Sequence, residues 1–290
     1  MTKEEFEEFK KTKKQHNTSN QWQNSARDSK IISLSSKYEK EAGNITYKPM
    51  FYFNSWEHFH PVTGIINDSD DNKVFGTDLE FNVAHKLFSK DALFVGGLTF
   101  KIDETKDSKK YLYKDIETKS VTTGYGPNRK TVNQLVKTLS NEKGALAGTE
   151  DSQTLLYGAY LMENFKASDK LGFDISTRID KLNFDINANE LTTYNYSTKS
   201  YEAGVGKYDI DNSFVLFSTK FGSTYAISDS TNIYASIASA NQAPTTSELS
   251  DNKDLEKSQS VNYEIGLKTR TENFASDLAL FQNFVDDEII

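Results

Sequence analysis

The chain has 290 residues, a length that suits one large all-β domain as well as two ordinary ones, and carries 34 Lys and Arg against 42 Asp and Glu for a formal net charge of -8. That acidic balance argues against a nucleic-acid partner, whose phosphates call for clustered cations, and the absence of cysteine excludes disulfides, thiolate metal sites and cysteine nucleophiles. No run of about 18 apolar residues occurs, which excludes a transmembrane helix but not a β-barrel, whose strands need an apolar residue only at every second position.

The opening stretch, Met1 to Lys10, alternates acids and bases and lacks the apolar core of a secretion signal. Residues 1–28 are read as a surface-loop remnant, solvated rather than helical, with Phe6 and Phe9 set among charges. From residue 29 the chain has period 2, with successive side chains on opposite faces. Ten strand-like segments follow, at 29–41, 44–60, 73–88, 93–104, 153–166, 171–186, 213–227, 232–242, 260–271 and 276–290. The clearest is Leu171 to Asp180, where Leu171, Phe173, Ile175 and Ile179 alternate with Asp174, Arg178 and Asp180. Val261, Ile265 and Leu267 alternate in the same way with Glu264, Lys268 and Arg270. The apolar sets are expected to face outward and the charged sets inward.

Connections alternate in length. Short polar turns at 41–44, 89–92, 167–170, 228–231 and 272–275 separate long polar stretches at 61–72, 105–152, 187–212 and 243–259. Long loops on one rim and short turns on the other are the mark of an outer-membrane barrel. The expected fold is therefore all-β, with antiparallel up-and-down strands forming an incomplete part of a transmembrane β-barrel wall over 29–290. A long extracellular loop is expected at 105–152, partly disordered, with a short helix near 131–139.

In the C-terminal third, Tyr234-Ala235-Ser236, Ala243-Pro244-Thr245-Thr246-Ser247-Glu248-Leu249, Leu255-Glu256-Lys257-Ser258 and Asn262-Tyr263-Glu264-Ile265-Gly266-Leu267-Lys268 follow one another in an order that resembles the barrel of TonB-dependent outer-membrane receptors. Upstream, Tyr157-Gly158-Ala159-Tyr160 and Gly172 to Asp180 resemble the preceding hairpin, so the likeness covers about 153–290. Asn241-Gln242 and Asn252 to Leu255 depart from the usual pattern. The resemblance implies a barrel of about 22 strands, an N-terminal plug, and residence in the outer membrane of a Gram-negative bacterium. It further implies uptake of an iron chelate, a ferric siderophore, driven by the TonB complex through a plug that this chain does not contain. Ten strands fall short of that barrel, so the chain is expected to be a middle piece, with Met1 an internal methionine. Outer-membrane lipid is the other implied partner. The alternative is a structural or adhesive all-β surface protein, or a passive pore.

Candidate binding residues are few. His58 and His60, two apart on one strand, project from the same face and can share a metal or an iron chelate. Tyr125 and Arg129, in the longest connection, can stack on and hydrogen-bond an anionic aromatic chelate. Asp68, Asp70 and Asn72 begin like a calcium loop, but Lys73 stands where glycine is needed and Leu79 where the closing acid should be. His16 and His85 have no local partner set, and neither a Gly-x-Ser-x-Gly elbow nor His-Glu-x-x-His is present. No enzyme activity and no cofactor are expected.

Overall fold

The computed structural model describes residues 2–12 and 24–288; His16 and the closing Ile289-Ile290 lie outside them. Thirteen strands follow in chain order: β1 (Asp28–Lys37), β2 (Lys40–Ala42), β3 (Ile45–Pro61), β4 (Ile65–Leu87), β5 (Lys90–Tyr113), β6 (Ile116–Thr123), β7 (Lys130–Thr138), β8 (Lys143–Lys166), β9 (Leu171–Asn195), β10 (Ser200–Ser228), β11 (Thr231–Gln242), β12 (Ser258–Arg270) and β13 (Ala275–Asp286). Among the described residues two α-helices accompany them, α1 (Lys3–Thr12) and α2 (Thr246–Asp251). The main sheet runs β1-β3-β4-β5-β8-β9-β10-β11-β12-β13, with β2 on β3 as an eleventh strand, and every pairing is antiparallel. β1 and β13 are its open edges, so the sheet is a wall and not a closed barrel.

Four expectations are corrected. The opening segment is not a loop throughout, since Lys3 to Thr12 form a helix. Its first turn holds Glu4 and Glu5, its last Lys10 and Lys11, so both ends complement the helix dipole. Lys10 also lies over the Phe6 ring, 4.6 Å from its centre. The stretch 105–152 is mostly strand: β5 runs on to Tyr113, β8 starts at Lys143, and β6 and β7 form a hairpin between them. The helix expected at 131–139 is strand β7, whose Thr131 and Val132 pair with Thr122 and Val121. The polar stretches 61–72 and 187–212 are likewise strand apart from the turns at 62–64 and 196–199. The physical reason is pairing: a polar strand far from the turn still satisfies its backbone through its neighbours, and that needs no apolar alternation. Only 243–257 remains a long connection between main-sheet strands without a hairpin of its own, and it contains α2.

The long strands change character halfway. On the lower half of β9, Phe173, Ile175 and Ile179 face outward and Asp174, Arg178 and Asp180 face the lumen; beyond Lys181 the outward residues become Asn183, Asp185 and Asn187. There the inward residues turn apolar, with Phe184 5% and Ile186 0% exposed. β10 changes at the same place: Phe217 and Phe221 are outward below, Val215 pairs with Lys181 at the change, and Ile210 is buried on the inner side above, opposite Ile186. From Leu171 to Lys181 the outward apolar band is about as long as the 9–11 residues a tilted strand needs to cross a bilayer. The lower half is thus dressed for lipid and the upper half for water.

The lumen face of the lower half carries satisfied charges. Arg178 makes two 2.7 Å hydrogen bonds to Asp180 and lies over the Tyr160 ring, while Tyr160 donates to Glu80 at 3.0 Å. The Tyr160 ring covers Gly97 so closely that a Cβ there would meet it at 2.4 Å. Tyr234 donates to Glu264, and Arg270 pairs with Asp277 at 2.5 Å. The expected inward set, Arg178, Glu264, Lys268 and Arg270, is therefore lumenal, and of its outward counterparts Ile175, Ile179, Ile265 and Leu267 are exposed while Phe173 and Val261 are half-buried.

Candidate functional site

Above the change of face, three parts of the chain meet. The turn 62–64, the β6-β7 hairpin and the turn 196–199 are joined by side chains that satisfy one another's backbone. Tyr113 donates to the Val62 carbonyl and Tyr201 to that of Gly64, each at 2.8 Å. The Leu135 amide donates to Lys199 O at 2.7 Å, and Gln134 to Thr198 O at 2.9 Å. Gly64 has φ +80° and lies under the Tyr194 ring, where a Cβ would be 2.4 Å from the ring carbons, so both its backbone and its packing require glycine. Tyr194 makes edge contacts with Tyr196 and Tyr201 at 5.1 and 5.5 Å. Burial pushes the Tyr113 hydroxyl up to about 12 and raises Tyr194 and Tyr201 as well, so all three stay protonated at any ordinary pH, and Tyr113 and Tyr201 keep their donated bonds. The Tyr194 and Thr63 hydroxyls are buried without a partner.

A second inward element is α2. Thr245 and Glu248 form a capping box: the Glu248 amide donates to Thr245 Oγ1 and the Thr245 amide to Glu248 Oε2. Those bonds hold the Glu248 carboxyl below its usual range. The box aims Leu249, fully buried, into a cluster with Phe184, Ile186 and Ile210, so the connection lies against the inner side of β9 and β10. Thr245→Ala is expected to cost about 1 kcal/mol of local stability, read as faster hydrogen exchange at the Glu248 and Leu249 amides with strand amides unchanged. Unchanged exchange at these amides would show that burial of Leu249 alone fixes the helix.

The four sequence candidates fall into two pairs. His58 and His60 share one face of β3 and extend an edge-to-face stack from Trp56, each ring centre 5.1 Å from the next. His58 Nδ1 is buried without a partner. Burial, with the charges of Arg27 and His60 behind it, lowers the His58 pKa, so its ring is neutral near pH 7 and keeps a lone pair for an electrophile. Tyr125 and Arg129 flank the 3-10 turn Gly126–Asn128 at the tip of the β6-β7 hairpin, with Tyr125 95% exposed and the Arg129 amide donating to Gly126 O at 3.2 Å. Among the described residues no contact joins the two pairs, and no group of three or more metal-ligating side chains is present. The tyrosines 113, 194 and 201 escaped sequence reading because their partners lie up to 137 positions away in the chain. The α2 helix had a visible signal, a Thr followed three residues later by Glu.

An antiparallel meander with a lipid-length apolar band outside, charges inside and a polar extension on one side is the wall of an outer-membrane barrel. The chain matches the TonB dependent receptor-like beta-barrel family over residues 6–290 and belongs to that family, one of receptors and transporters rather than enzymes. Its fold is similar to that of the ferric-catecholate import receptor Fiu from E. coli K12, with TM-score 0.64 and 15% identity over 94% of this chain and 43% of that one. It is similar also to the alcaligin receptor FauA from Bordetella pertussis, with TM-score 0.60 and 15% identity over 90% and 37%. The copper transporter OprC gives TM-score 0.62 at 11% identity over 89% and 39%. The chain therefore spans less than half the length of these proteins, and the likeness is one of fold.

Proposed function

We propose that this chain forms part of an outer-membrane receptor of a Gram-negative bacterium for TonB-dependent uptake of an iron chelate, a ferric siderophore. The change of face on β9 and β10 carries the reading. It sets a lipid-spanning band below and a long, paired, water-facing wall above, where a ligand arriving from outside is met. The receptors Fiu and FauA, of similar fold, take ferric-catecholate and alcaligin, which favours an iron chelate. Energy is transmitted by the TonB complex through a plug domain, and the lower band rests in outer-membrane lipid.

His58, His60, Tyr125 and Arg129 are the proposed ligand contacts. Arg129 supplies a charge-assisted hydrogen bond to an anionic chelate, Tyr125 a ring for stacking, and the two imidazoles a lone pair or a donor. Titration of the detergent-solubilised chain with a ferric tris-catecholate, followed by fluorescence quenching, tests this. Arg129→Ala and the double change His58→Ala, His60→Ala are each expected to weaken binding about tenfold, the equivalent of one such bond. Binding that none of these changes alters removes these residues from the site. A chain in lipid that binds no chelate supports the passive-pore or adhesive alternative.

A further inference from the structure

The two imidazoles of β3 belong to a longer row. β1 starts at Asp28, opposite Phe59, and the ladder continues one step further up, where the Ala26 amide donates to the Pro61 carbonyl at 3.1 Å. Arg27 therefore stands opposite His60, between two hydrogen-bonded pairs, the position at which cross-strand side chains come closest. Burial and then the Arg27 charge disfavour protonation of His58, which places the guanidinium near that ring as well. On the other side of β3, His60 pairs with Asn67 of β4, and Asn67 with Lys110 of β5. The face they share is lumenal: the ring stack ties His60 to Trp56, and Trp56 lies an even number of residues along β3 from Lys48, which pairs with the lumenal Glu80. Arg27, His60, Asn67 and Lys110 thus form one row from the start of β1 to β5, about 14 Å from end to end at roughly 4.8 Å per strand.

Every member of the row can donate a hydrogen bond, and none is an acid. Ser29, His58 and Ser69, one step below, add no carboxylate. Cations on the outer face at this height are neutralised, Lys30 by Glu57 at 2.7 Å and Lys109 by Asp107 at 2.5 Å. Arg27 and Lys110 are exposed and have no acid partner among the described residues. Glu150 of β8 stands one row lower, opposite Ser108. The row itself ends at Gly148, beyond which Glu190 accepts the Val205 amide at 3.3 Å. Donors with uncompensated positive charge at both ends, set above three stacked rings, form the complement of an anion with aromatic parts.

We propose that this row is the charge-selecting part of the chelate site: it takes a metal chelate of net negative charge, whose anionic oxygens are shared between Arg27 and Lys110, and disfavours uncharged chelates of the same size. The inference rests on the receptor reading above and narrows its ligand class. An anion gains a charge-assisted hydrogen bond at each end, with His60 and Asn67 donating between them. An uncharged chelate strips water from the same two cations and returns no charge to them. Arg and Lys side chains are long enough to close inward on a compact anion, so the row reads the ligand's charge more than its outline.

Fluorescence titration of the chain in a non-ionic detergent tests the proposal, with a ferric tris-catecholate, which is a trianion, and a ferric tris-hydroxamate, which is uncharged, as probes. The wild-type chain is expected to bind the trianion at least about tenfold more tightly, an advantage that shrinks as salt is raised because the cations are exposed. Arg27→Gln and Lys110→Gln are each expected to weaken trianion binding about tenfold, the scale of one charge-assisted contact, and to leave the uncharged chelate unaffected. Arg27→Lys, which keeps the charge, is expected to lose less than Arg27→Gln. Both side chains are exposed, so far-UV circular dichroism of the variants is expected to match the wild type. Equal affinity of the wild type for the two probes overturns the proposal, as does a trianion affinity that the double change Arg27→Gln, Lys110→Gln leaves intact. Binding of the uncharged chelate alone overturns this inference and leaves the receptor reading standing. A chain that binds neither probe overturns both.

Discussion

Placed alone in phospholipid bilayers, the 290-residue chain is expected to associate edge to edge or aggregate. It is not expected to persist as a monomer, and expressed with a secretion signal in cells lacking their own siderophore receptors it should support no TonB-dependent iron uptake. The cause is the open sheet. β1 and β13 each leave a row of backbone amides and carbonyls without a neighbour, and every such group costs several kcal/mol in hydrocarbon. Next to the β13 edge stand Leu278, Leu280, Phe281 and Phe284, all more than half exposed. The energy driving another strand onto that edge far exceeds the 5–15 kcal/mol by which a typical domain is stable. Sedimentation in lipid-detergent mixtures and uptake of labelled ferric siderophore check the two halves of the expectation. A lone monomer stable in lipid, or uptake that requires TonB, would overturn it.

The second large effect is a contrast between two substitutions to the same residue. Leu98→Arg, in the middle of the outward band, is expected to destabilise the membrane-inserted chain by about 2 to 4 kcal/mol, the cost of a cation near the bilayer midplane. Leu98 is 57% exposed, and its cross-strand neighbours Leu79 and Ala159 offer no acid to neutralise the guanidinium. Asn183→Arg also points outward but lies beyond the change of face, beside Ser213 and Leu155, and is expected to cost less than 1 kcal/mol. Guanidinium titrations of the edge-associated assemblies of both variants in the same vesicles measure the difference. Equal penalties would place the two residues in one environment and remove the boundary at Lys181.

What could be read from the chain divides along the same boundary. Between Leu171 and Asp180, and between Val261 and Arg270, one face touches lipid and the other charge, so the side-chain period shows in the letters and the register could be read directly. Above it, Asp185, Asn187, Asp209 and Asp211 face water, and such residues resemble a loop although they are paired strand. The same ambiguity hid β6 and β7. The helix at Lys3 to Thr12 was concealed because its support is ordered charge and one cation over Phe6 rather than an apolar stripe. Of the proposed contacts, His58 and His60 were legible because two residues apart on a strand means one face. The placing of Tyr125 and Arg129 at a hairpin tip depended on a pairing between residues 116–123 and 130–138 that no local signal announces. Gly64 beneath Tyr194 joins positions 130 apart, and only the assembled fold reveals why that turn needs a glycine.

The upper part of β9 from Lys181 to Asn195 is about 45 Å of strand at roughly 3.3 Å per residue, hydrogen-bonded on both sides for most of that length. Chains held this way lose little further freedom when something settles on them. A solute meeting this rim therefore finds a surface that is already ordered, and the entropy that a loose loop forfeits on closing has here been lost during folding. Capture on such a surface depends on whether shapes and charges match at the first encounter, which makes the rim a selective filter more than a flexible net.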